Sequence, residues 1–550
     1  MRQWFRSGSP WIWLTASAVS VSLIMVLGLL GMITYQGMGY FWPHPVQELQ
    51  YQEPGGQPLR LIGEFSDHEQ VSATRLRESG LEIPATVLRV KRFLVKTGNR
   101  ELPGADFRWI VDLGVRSQHA PADVMVLERR EWGNFYGYLR AVKEGGTVIA
   151  QGEAAWTALH ARLQRALDLY EHIHDIEKYD IGAVNYALEK LRLSERRLEL
   201  DGDTDPVKRA RIAEKRSEQE AHYALLQKQL ADLYQELGRD SLSAEVADGQ
   251  IVDVQLAKVV RIYQPNTMSV FDKISHYLHK IWEFISDEPR EANTEGGVFP
   301  AIFGTVMMVL IMSVLVTPFG VIAAVYLREY ARQGLWTRTI RIAVNNLAGV
   351  PAIVYGVFGL GFFVYFLGGS IDQLFFPEAL PHPTFGTGGV LWSSLTLAIL
   401  TLPVVIVATE EGLARIPRSI REGSLALGAT KLETLWRTVL PMASPAIMTG
   451  VILAVARAAG EVAPLMLVGV VKLAPSMPVD LNAPFLHLDR KFMHLGFHIY
   501  DVGFQSPNVE AARPLVFATA LLLVLVIVLL NLTAIKIRNH LREKYRALDG

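Results

Sequence analysis

The chain has 550 residues and no cysteine, so it contains no disulfide, no thiolate nucleophile and no thiolate metal ligand. Neither sign of charge dominates, because 54 Lys and Arg side chains stand against 55 Asp and Glu. That balance provides no basic field to gather nucleic acid by counterion release, and nucleic-acid binding is not expected. The sequence also lacks the motifs GxxxxGK[ST], HExxH and GxSxG. The chain therefore has no phosphate loop of its own for ATP.

Histidine clusters of the kind that bind metal are also missing. His172 and His174 are two residues apart on a predicted helix and point to different faces. His494 and His498 have no acidic ligands at matching spacing. We expect surface or packing roles for these histidines, with no metal site and no cofactor.

Half of the residues are hydrophobic, and many of them are concentrated in six long runs. A helix needs roughly 20 apolar residues to cross the hydrocarbon layer, and each run is long enough. The runs are 11–34, 299–327, 342–369, 389–408, 440–471 and 514–535. The first run favours an uncleaved anchor over a signal peptide, because it is long and has no small-x-small cleavage pattern. We predict a mainly α-helical, polytopic membrane protein with six transmembrane helices.

Lysine and arginine in the short loops predict the orientation of these helices. One side of the membrane would carry 16 such residues, in segments 1–10, 328–341, 415–437 and 536–546. The other side would carry only Lys472, Arg490, Lys491 and Arg513. Both termini are therefore expected in the cytoplasm, and the long segment between the first two runs is expected outside.

That long segment, 36–295, is predicted to be an inserted α+β domain. Short β-branched and aromatic runs indicate strands in 47–150 and 246–264. A helical pattern over 153–240, with the turn signal DGDTDP at 201–206, predicts a helical hairpin. Residues 270–286 form an amphipathic helical pattern, which fits either a helix in the outer membrane interface or a core helix of the domain. The sequence supports both interpretations equally.

Residues 410–441, EEGLARIPRSIREGSLALGATKLETLWRTVLP, are amphipathic and too long for a simple turn. Pro417 can start a helix, Gly428 can break one, and Pro441 can occupy the first turn of the next span. Apolar residues expected on one side are Ile416, Ile420, Leu425 and Leu427, and charged residues expected on the other are Arg418, Arg421 and Glu422. We predict a short helix presented to the cytosol.

Within this segment, Glu422-Gly423-Ser424, then Gly428, then Leu440-Pro441 resemble the EAA loop of ABC-importer permeases. Gly423 and Ser424 replace the usual alanine pair, and Thr438 stands where a branched aliphatic residue is typical. The resemblance implies a coupling helix that docks on a separate ATP-binding subunit dimer. The residues it assigns to that coupling loop are Arg421, Glu422, Gly423, Ser424, Gly428, Leu440 and Pro441.

Two further stretches, NNLAGVPAIVYGVFGLG at 345–361 and ILAVARAAGEVAPLML at 452–467, are similar to the PstA family of phosphate-importer permeases. The resemblance covers the five later runs, and the first by position only. It implies a type I importer permease core at 296–550, following a cytoplasmic N-terminus and first helix at 1–35. It also implies a non-enzymatic transporter subunit in a bacterial inner membrane. Its partners would be a second homologous permease subunit, the ATPase subunits, a periplasmic phosphate-binding protein and inorganic phosphate.

The fifth run contains the charges Arg457 and Glu461, while the other five runs have none. A charge in mid-membrane costs roughly 2.5–3.5 kcal/mol, so its presence calls for a partner or a function. A guanidinium can bind an oxyanion through two parallel hydrogen bonds, and a carboxylate four residues away on the same helix face can compete for it. We predict that both residues line the substrate path, the alternative being a fixed ion pair.

Two other functions stay possible from the sequence. The chain could be a permease for another oxyanion such as sulfate or molybdate, since many importers share the coupling loop. It could also be a membrane-anchored periplasmic adaptor or structural protein whose main part is the insertion.

Overall fold

The computed structural model describes residues 9–546 apart from 54–55, 79, 82, 85, 101–105, 291–292 and 507–508. Arg2 and Arg6, which the orientation argument counts, lie outside the described residues. The chain divides into two compact units. The helical unit comprises Met1–Tyr40, Ile285–Glu288 and Val298–Gly550, and the β-rich unit comprises Phe41–Phe284 and Pro289–Gly297.

Among the described residues, six helices are long and apolar enough to cross a membrane, as predicted. They are Trp11–Gly39, Phe299–Tyr330, Ala352–Phe375, Val390–Arg415, Lys431–Gly460 and Ala512–Glu543, and we call them the first to sixth spans. The shorter helices of this unit are Leu335–Leu347, Arg418–Ala426, Leu465–Val468 and Leu495–Tyr500. The prediction of a polytopic, mainly helical protein is confirmed.

The predicted bounds of the third span are wrong at the start. Residues 342–347 belong to the separate helix Leu335–Leu347, which ends before Gly349 and Pro351. Proline disfavours helical geometry in the residue before it, so a new helix begins at Ala352. The third span is therefore Ala352–Phe375 rather than 342–369.

The predicted bounds of the fifth span, 440–471, are wrong at both ends. The helix begins at Lys431, because the Thr430 hydroxyl accepts from the Glu433 amide and the Glu433 carboxylate accepts from the Thr430 amide. This reciprocal capping box satisfies two amide groups of the first turn. The helix ends at Gly460, after which Glu461 is extended, with φ −83° and ψ 129°. The span is 30 residues long. It begins among the polar residues that follow Thr430 and ends just before Glu461.

Glycines let the central spans approach one another closely. A Cβ at Gly320 of the second span would lie 2.6 Å from Val405 Cγ1 of the fourth, and one at Gly450 of the fifth would lie 2.7 Å from Ala408 Cβ. Small residues at such crossings are typical of helix packing in membranes. The fourth span lies at the centre of this packing, and two thirds of its most apolar window is buried.

The β-rich unit contains two antiparallel sheets. Its strands in chain order are β1 Val46–Gln52, β2 Pro58–Ser72, β3 Arg89–Lys96, β4 Phe107–Val111, β5 Val115–His119, β6 Val124–Arg129, β7 Phe135–Glu144, β8 Thr147–Gln151, β9 Asp240–Glu245, β10 Ile251–Gln255 and β11 Val259–Tyr263. One sheet has the order β4-β3-β2-β1-β5, and the other has β10-β9-β7-β6-β11 with β8 paired to β7. Two-residue strands Pro289–Arg290 and Glu295–Gly296 pair separately.

Helices of the β-rich unit include a long hairpin, which follows β8. Its first arm is Glu153–Asp175, a π-helical turn Ile176–Asp180, and Ile181–Leu200, and its second arm is Pro206–Leu237. Asp205 caps the second arm by accepting from the Val207 amide at 2.9 Å, with Pro206 at the first helical position. Leu159 and Leu163 of the first arm pack in the same core as Phe135 of β7. The remaining helices are Ala73–Glu78 and Val270–Ser286.

Candidate coupling elbow and substrate path

A short helix follows the fourth span, and we call residues 416–430, which contain it, the elbow. The fourth span ends at Arg415, Pro417 is the N-cap residue of the helix Arg418–Ala426, and Gly428 has φ +89°. Glycine adopts that left-handed conformation without steric cost. The chain then enters the fifth span at Lys431. Pro441 lies at the start of the regular α-helical part Leu440–Gly460, directly after the π-helical turn Leu435–Val439.

Arg421 holds the elbow against the ends of two spans. Its Nη1 donates to the Ile416 carbonyl at 2.7 Å, and its Nη2 donates to the Leu413 carbonyl and to Glu329 Oε1, both at 2.8 Å. The guanidinium is mostly buried. The resemblance assigns Arg421 to the coupling loop, and its contacts make it the residue that orients that loop.

The far side of the elbow is fastened as well. Lys431 Nζ donates to the Glu329 carbonyl at 2.6 Å and lies 4.4 Å from the ring centroid of Tyr330. The Ser424 and Thr434 hydroxyls are 2.9 Å apart. Glu329 is about ninety residues earlier in the chain, and the sequence has no signal that would place it here. The elbow is therefore fixed in angle by side chains on both of its sides.

The predicted single apolar side of this segment is wrong. Ile416 and Ile420 pack with Leu435 and Val439, whereas Leu425 and Leu427 are 47% and 91% exposed. The helix ends at Ala426, so Leu427 no longer follows the helical repeat.

Two residues of the EAA-like pattern are exposed beside these leucines. Glu422 and Gly423 both face solvent, and a Cβ built on Gly423 would meet nothing within 4 Å. The outward face of the elbow thus combines a carboxylate, a glycine and two leucines.

Arg457 lies in the last turn of the fifth span. Its Nε is 3.5 Å from Glu461 Oε1, and the two side chains are 31% and 24% exposed. The expectation that both share one helix face is wrong for Glu461, because the helix ends at Gly460. The separation is beyond the usual 2.7–3.2 Å range of N–H···O hydrogen bonds, so the pair is loose. The guanidinium therefore keeps donors that are not committed to Glu461.

The two stretches that carry the PstA resemblance pack against each other beside this pair. A Cβ built on Gly356 of the third span would lie 2.7 Å from Pro464 Cα. Tyr355, next to Gly356, donates to the Leu347 carbonyl at 2.6 Å. The third span thus forms one wall of the region around Arg457.

A cleft of about 510 Å³ lies next to the elbow, and the sequence does not predict it. Its lining includes Arg415, Arg538 and Arg542 together with Thr449 of the fifth span. All three arginines belong to the 16 loop Lys and Arg residues that predict the cytoplasmic side. That charge excess is the sequence feature that points to this cleft.

No group of three or more His, Asp or Glu side chains that could hold a metal occurs in the part of the chain that the structure describes. His174 stacks on Tyr170. His494 is buried, and its Nδ1 accepts from the Gly496 amide at 3.1 Å. These are packing and capping roles.

Comparison with known proteins identifies the helical unit. A model of the binding-protein-dependent transport system inner membrane component family matches residues 316–546. The phosphate transport system permease protein PstA 1 of Mycobacterium tuberculosis is 40% identical over 175 residues, which are 32% of this chain and 52% of that protein. The probable ABC transporter permease protein YqgH of Bacillus subtilis is 31% identical over 195 residues, 35% of this chain and 59% of that protein.

These two alignments span between half and three fifths of the relatives' own length. The phosphate transport system permease protein PstA of Yersinia pestis is 32% identical over 251 residues, which are 46% of this chain and 75% of that protein. Identity at this level over three quarters of a relative, together with the family match, shows that the chain is a multi-pass membrane protein of the binding-protein-dependent transport inner membrane component family, belonging to its PstA-type permeases.

Proposed function

We propose that this chain is a transmembrane subunit of an ATP-driven importer of inorganic phosphate. Two of the relatives described above are named as phosphate transport permeases. The observation that carries the proposal is the partly exposed Arg457 guanidinium, which is only loosely paired with Glu461. The chain would act as a non-enzymatic subunit, and a separate ATPase subunit would hydrolyse ATP.

Phosphate would pass Arg457 and Glu461 on its way through the membrane. A planar guanidinium offers two parallel N–H donors, which match two oxygens of a phosphate. Glu461, 3.5 Å away, can pair with the guanidinium again when the phosphate leaves. This competition lowers the residence time of the anion, so that binding does not trap it.

The elbow would be the docking element for the ATP-binding subunit dimer. Leu425 and Leu427 are exposed large apolar side chains on a surface that Arg421 holds in place. An exposed apolar group beside a glycine with free space around it suits a close protein contact. The elbow would stay narrow and bent because it contains the small residues Gly423, Ser424 and Gly428.

The remaining assembly follows from the orientation argument and the family. Both termini would lie in the cytoplasm of a bacterium and 36–295 in the periplasm. A second homologous permease subunit would complete the path, and a periplasmic phosphate-binding protein would deliver the anion.

Another oxyanion is the main competing cargo, because sulfate and molybdate also present oxygens to a guanidinium. The names of the relatives favour phosphate. The adaptor hypothesis is weaker, because an anchor requires neither a fastened elbow nor a loosely paired arginine.

Transport in proteoliposomes tests the proposal. The chain is reconstituted with the second permease and the ATPase subunit, and uptake of labelled phosphate is measured with excess sulfate or molybdate as competitor. Arg457→Lys should insert normally and lose about tenfold in uptake, because one charge-assisted hydrogen bond is worth about 1.5 kcal/mol or more. Arg437→Lys, an exposed position on the same helix, is the matched control. Unchanged uptake by Arg457→Lys would remove this residue from the path, and equal competition by sulfate would reject phosphate specificity.

A second measurement isolates the elbow. Leu427→Asp should leave Arg457 and the fold intact, since Leu427 is almost fully exposed. We expect the variant to lose co-purification with the ATPase subunit and phosphate-stimulated ATP hydrolysis. If the variant still co-purifies with the ATPase subunit and still shows phosphate-stimulated ATP hydrolysis, the docking surface lies elsewhere.

A further inference from the structure

The helix Val270–Ser286 has an apolar face that the β-rich unit leaves uncovered. Phe271, Leu278 and Trp282 are 84%, 60% and 68% exposed, and Ile274 is also exposed. Residues at these spacings lie on one side of a helix. Monomeric soluble proteins rarely leave such a contiguous apolar row in water. We call these four side chains the apolar face of the helix.

The opposite side of this helix is clamped onto the β-rich unit by buried charges. Lys280 Nζ is 3.0 Å from Glu128 of β6, and Glu283 is 3.0 Å from Arg261 of β11 and 2.6 Å from Arg290. Burial raises the pKa of Glu128, but Lys280 and Arg261 outweigh it and lower that pKa to about 2. Rotating the helix would separate these ionised groups. The apolar face is therefore held outward and cannot turn into the core.

Chain connectivity places the same helix beside the points where two spans end. The Tyr277 ring centroid is 5.7 Å from that of Trp42, and Trp42 is three residues beyond Gly39, the last residue of the first span. Three residues reach at most about 11 Å. At the other end, the Phe299 amide, which begins the second span, donates to the Asp287 carbonyl at 3.1 Å. The helix is thus in contact, near its middle, with a residue three positions beyond the first span, and a residue next to its end bonds the first residue of the second span.

We propose that the apolar face of Val270–Ser286 lies in the lipid of the membrane leaflet on the side of the β-rich unit, as an interfacial helix parallel to the membrane plane. Tryptophan and other aromatic residues are enriched at that depth. Lys273 lies next to the apolar face, and its aliphatic side chain is long enough to place the ammonium among the lipid headgroups.

Site-directed fluorescence tests this proposal with little background, because the natural chain has no cysteine. Leu278→Cys and, as matched control, Asp201→Cys at the exposed turn of the hairpin are each labelled with bimane in the full chain. The protein is placed in nanodiscs of phosphatidylethanolamine and phosphatidylglycerol. Quenching is then measured with nitroxide-labelled phospholipid and, separately, with iodide in the buffer.

In the proposed arrangement, bimane at Leu278→Cys shows a blue shift, is quenched by the nitroxide lipid and is shielded from iodide. Bimane at Asp201→Cys shows the reverse. Equal iodide quenching at both positions would place the apolar face in water and overturn the proposal. Shielding from both quenchers would overturn it too, because it would mean that a protein partner or a second copy of the chain covers the face. An unchanged thermal unfolding profile shows that each variant is folded.

Discussion

Two groups of charged side chains, one in each unit, are held in opposite ways. In the β-rich unit, the mostly buried Glu128 and Glu283 share three cations, Lys280, Arg261 and Arg290, at contacts of 2.6–3.5 Å. In the helical unit, Arg457 lies 3.5 Å from Glu461, and both side chains are partly exposed. A buried network with several cations around each carboxylate holds structure, because breaking one contact leaves a charge buried without its counter-charge. A loose, accessible pair leaves donors free for a visiting anion.

Removing one charge from the network should have the largest effect on stability. Glu128→Gln leaves Lys280 and Arg261 with less than their buried counter-charge, and we expect a loss of about 3–5 kcal/mol in the free energy of unfolding of the β-rich unit. Denaturant unfolding followed by circular dichroism measures it. The control Glu199→Gln breaks an exposed pair with Arg196 and should change stability by less than about 1 kcal/mol. Equal effects of the two substitutions would show that the network is not structural.

Acid should weaken the same network by a comparable amount. The folded pKa of Glu128 is lowered to about 2 from an ordinary value of 4.5. Its stabilising contribution is therefore complete above pH 4.5 and is lost as the pH falls toward 2, by about 3 kcal/mol in total. Unfolding curves between pH 6 and 2 would show this slope in the wild type. The slope should be reduced in Glu128→Gln, and an identical slope there would assign the acid sensitivity to other carboxylates.

Arg421 extends the comparison into the helical unit, because it is mostly buried and both of its terminal nitrogens donate hydrogen bonds, whereas Arg457 is only loosely paired. Arg421→Lys removes a fork that reaches two carbonyls and Glu329, and we expect about 2 kcal/mol lower stability together with reduced coupling to ATP hydrolysis. Arg457→Lys should lower uptake alone. Thermal unfolding and ATPase assays on the two variants separate these results. A change in melting temperature for Arg457→Lys larger than for Arg421→Lys would reverse the assignment.

The smallest change in stability is expected from Glu461→Gln. Because the pair is loose and exposed, its loss should alter stability by less than about 1 kcal/mol. Removing the competing carboxylate leaves Arg457 free for the anion, so KM for phosphate should fall while kcat also falls through slower release. Uptake kinetics in proteoliposomes measure both. A rise in KM would instead mean that Glu461 positions Arg457 for binding.

Much of the helical unit could be predicted from sequence, because a bilayer demands long apolar runs and each run identifies itself. The ends of the third and fifth spans could not be predicted that way. A capping box at Thr430 starts the fifth span among polar residues, which a search for apolar runs does not include. At its other end the helix stops at Gly460, although the apolar run continues beyond Glu461. Local hydrogen bonds, which hydropathy does not measure, decide both ends.

The candidate site was only partly predictable for a related reason. The sequence points to Arg457 because a charge in an apolar run is costly, and it points to the elbow by the spacing of small residues. The engagement of Arg421 depends on Glu329, which lies in another span. The outward position of Leu427 depends on where the helix ends. Such features depend on which residues the fold brings together and on where a helix ends. The spacing of residues in a single sequence does not predict either.

The continuity of the fifth span has a mechanical consequence. Its 30 residues form one continuous helix, with a π-helical turn at Leu435–Val439 and Pro445 inside it, and the 26 steps from Lys431 to Arg457 cover about 39 Å. Over that length, a tilt of about 5° at the elbow end carries the far end through about 3 Å, which is the length of a hydrogen bond. The fifth span would then act as a lever, and a small rotation at its elbow end would change which groups Arg457 contacts at the other end.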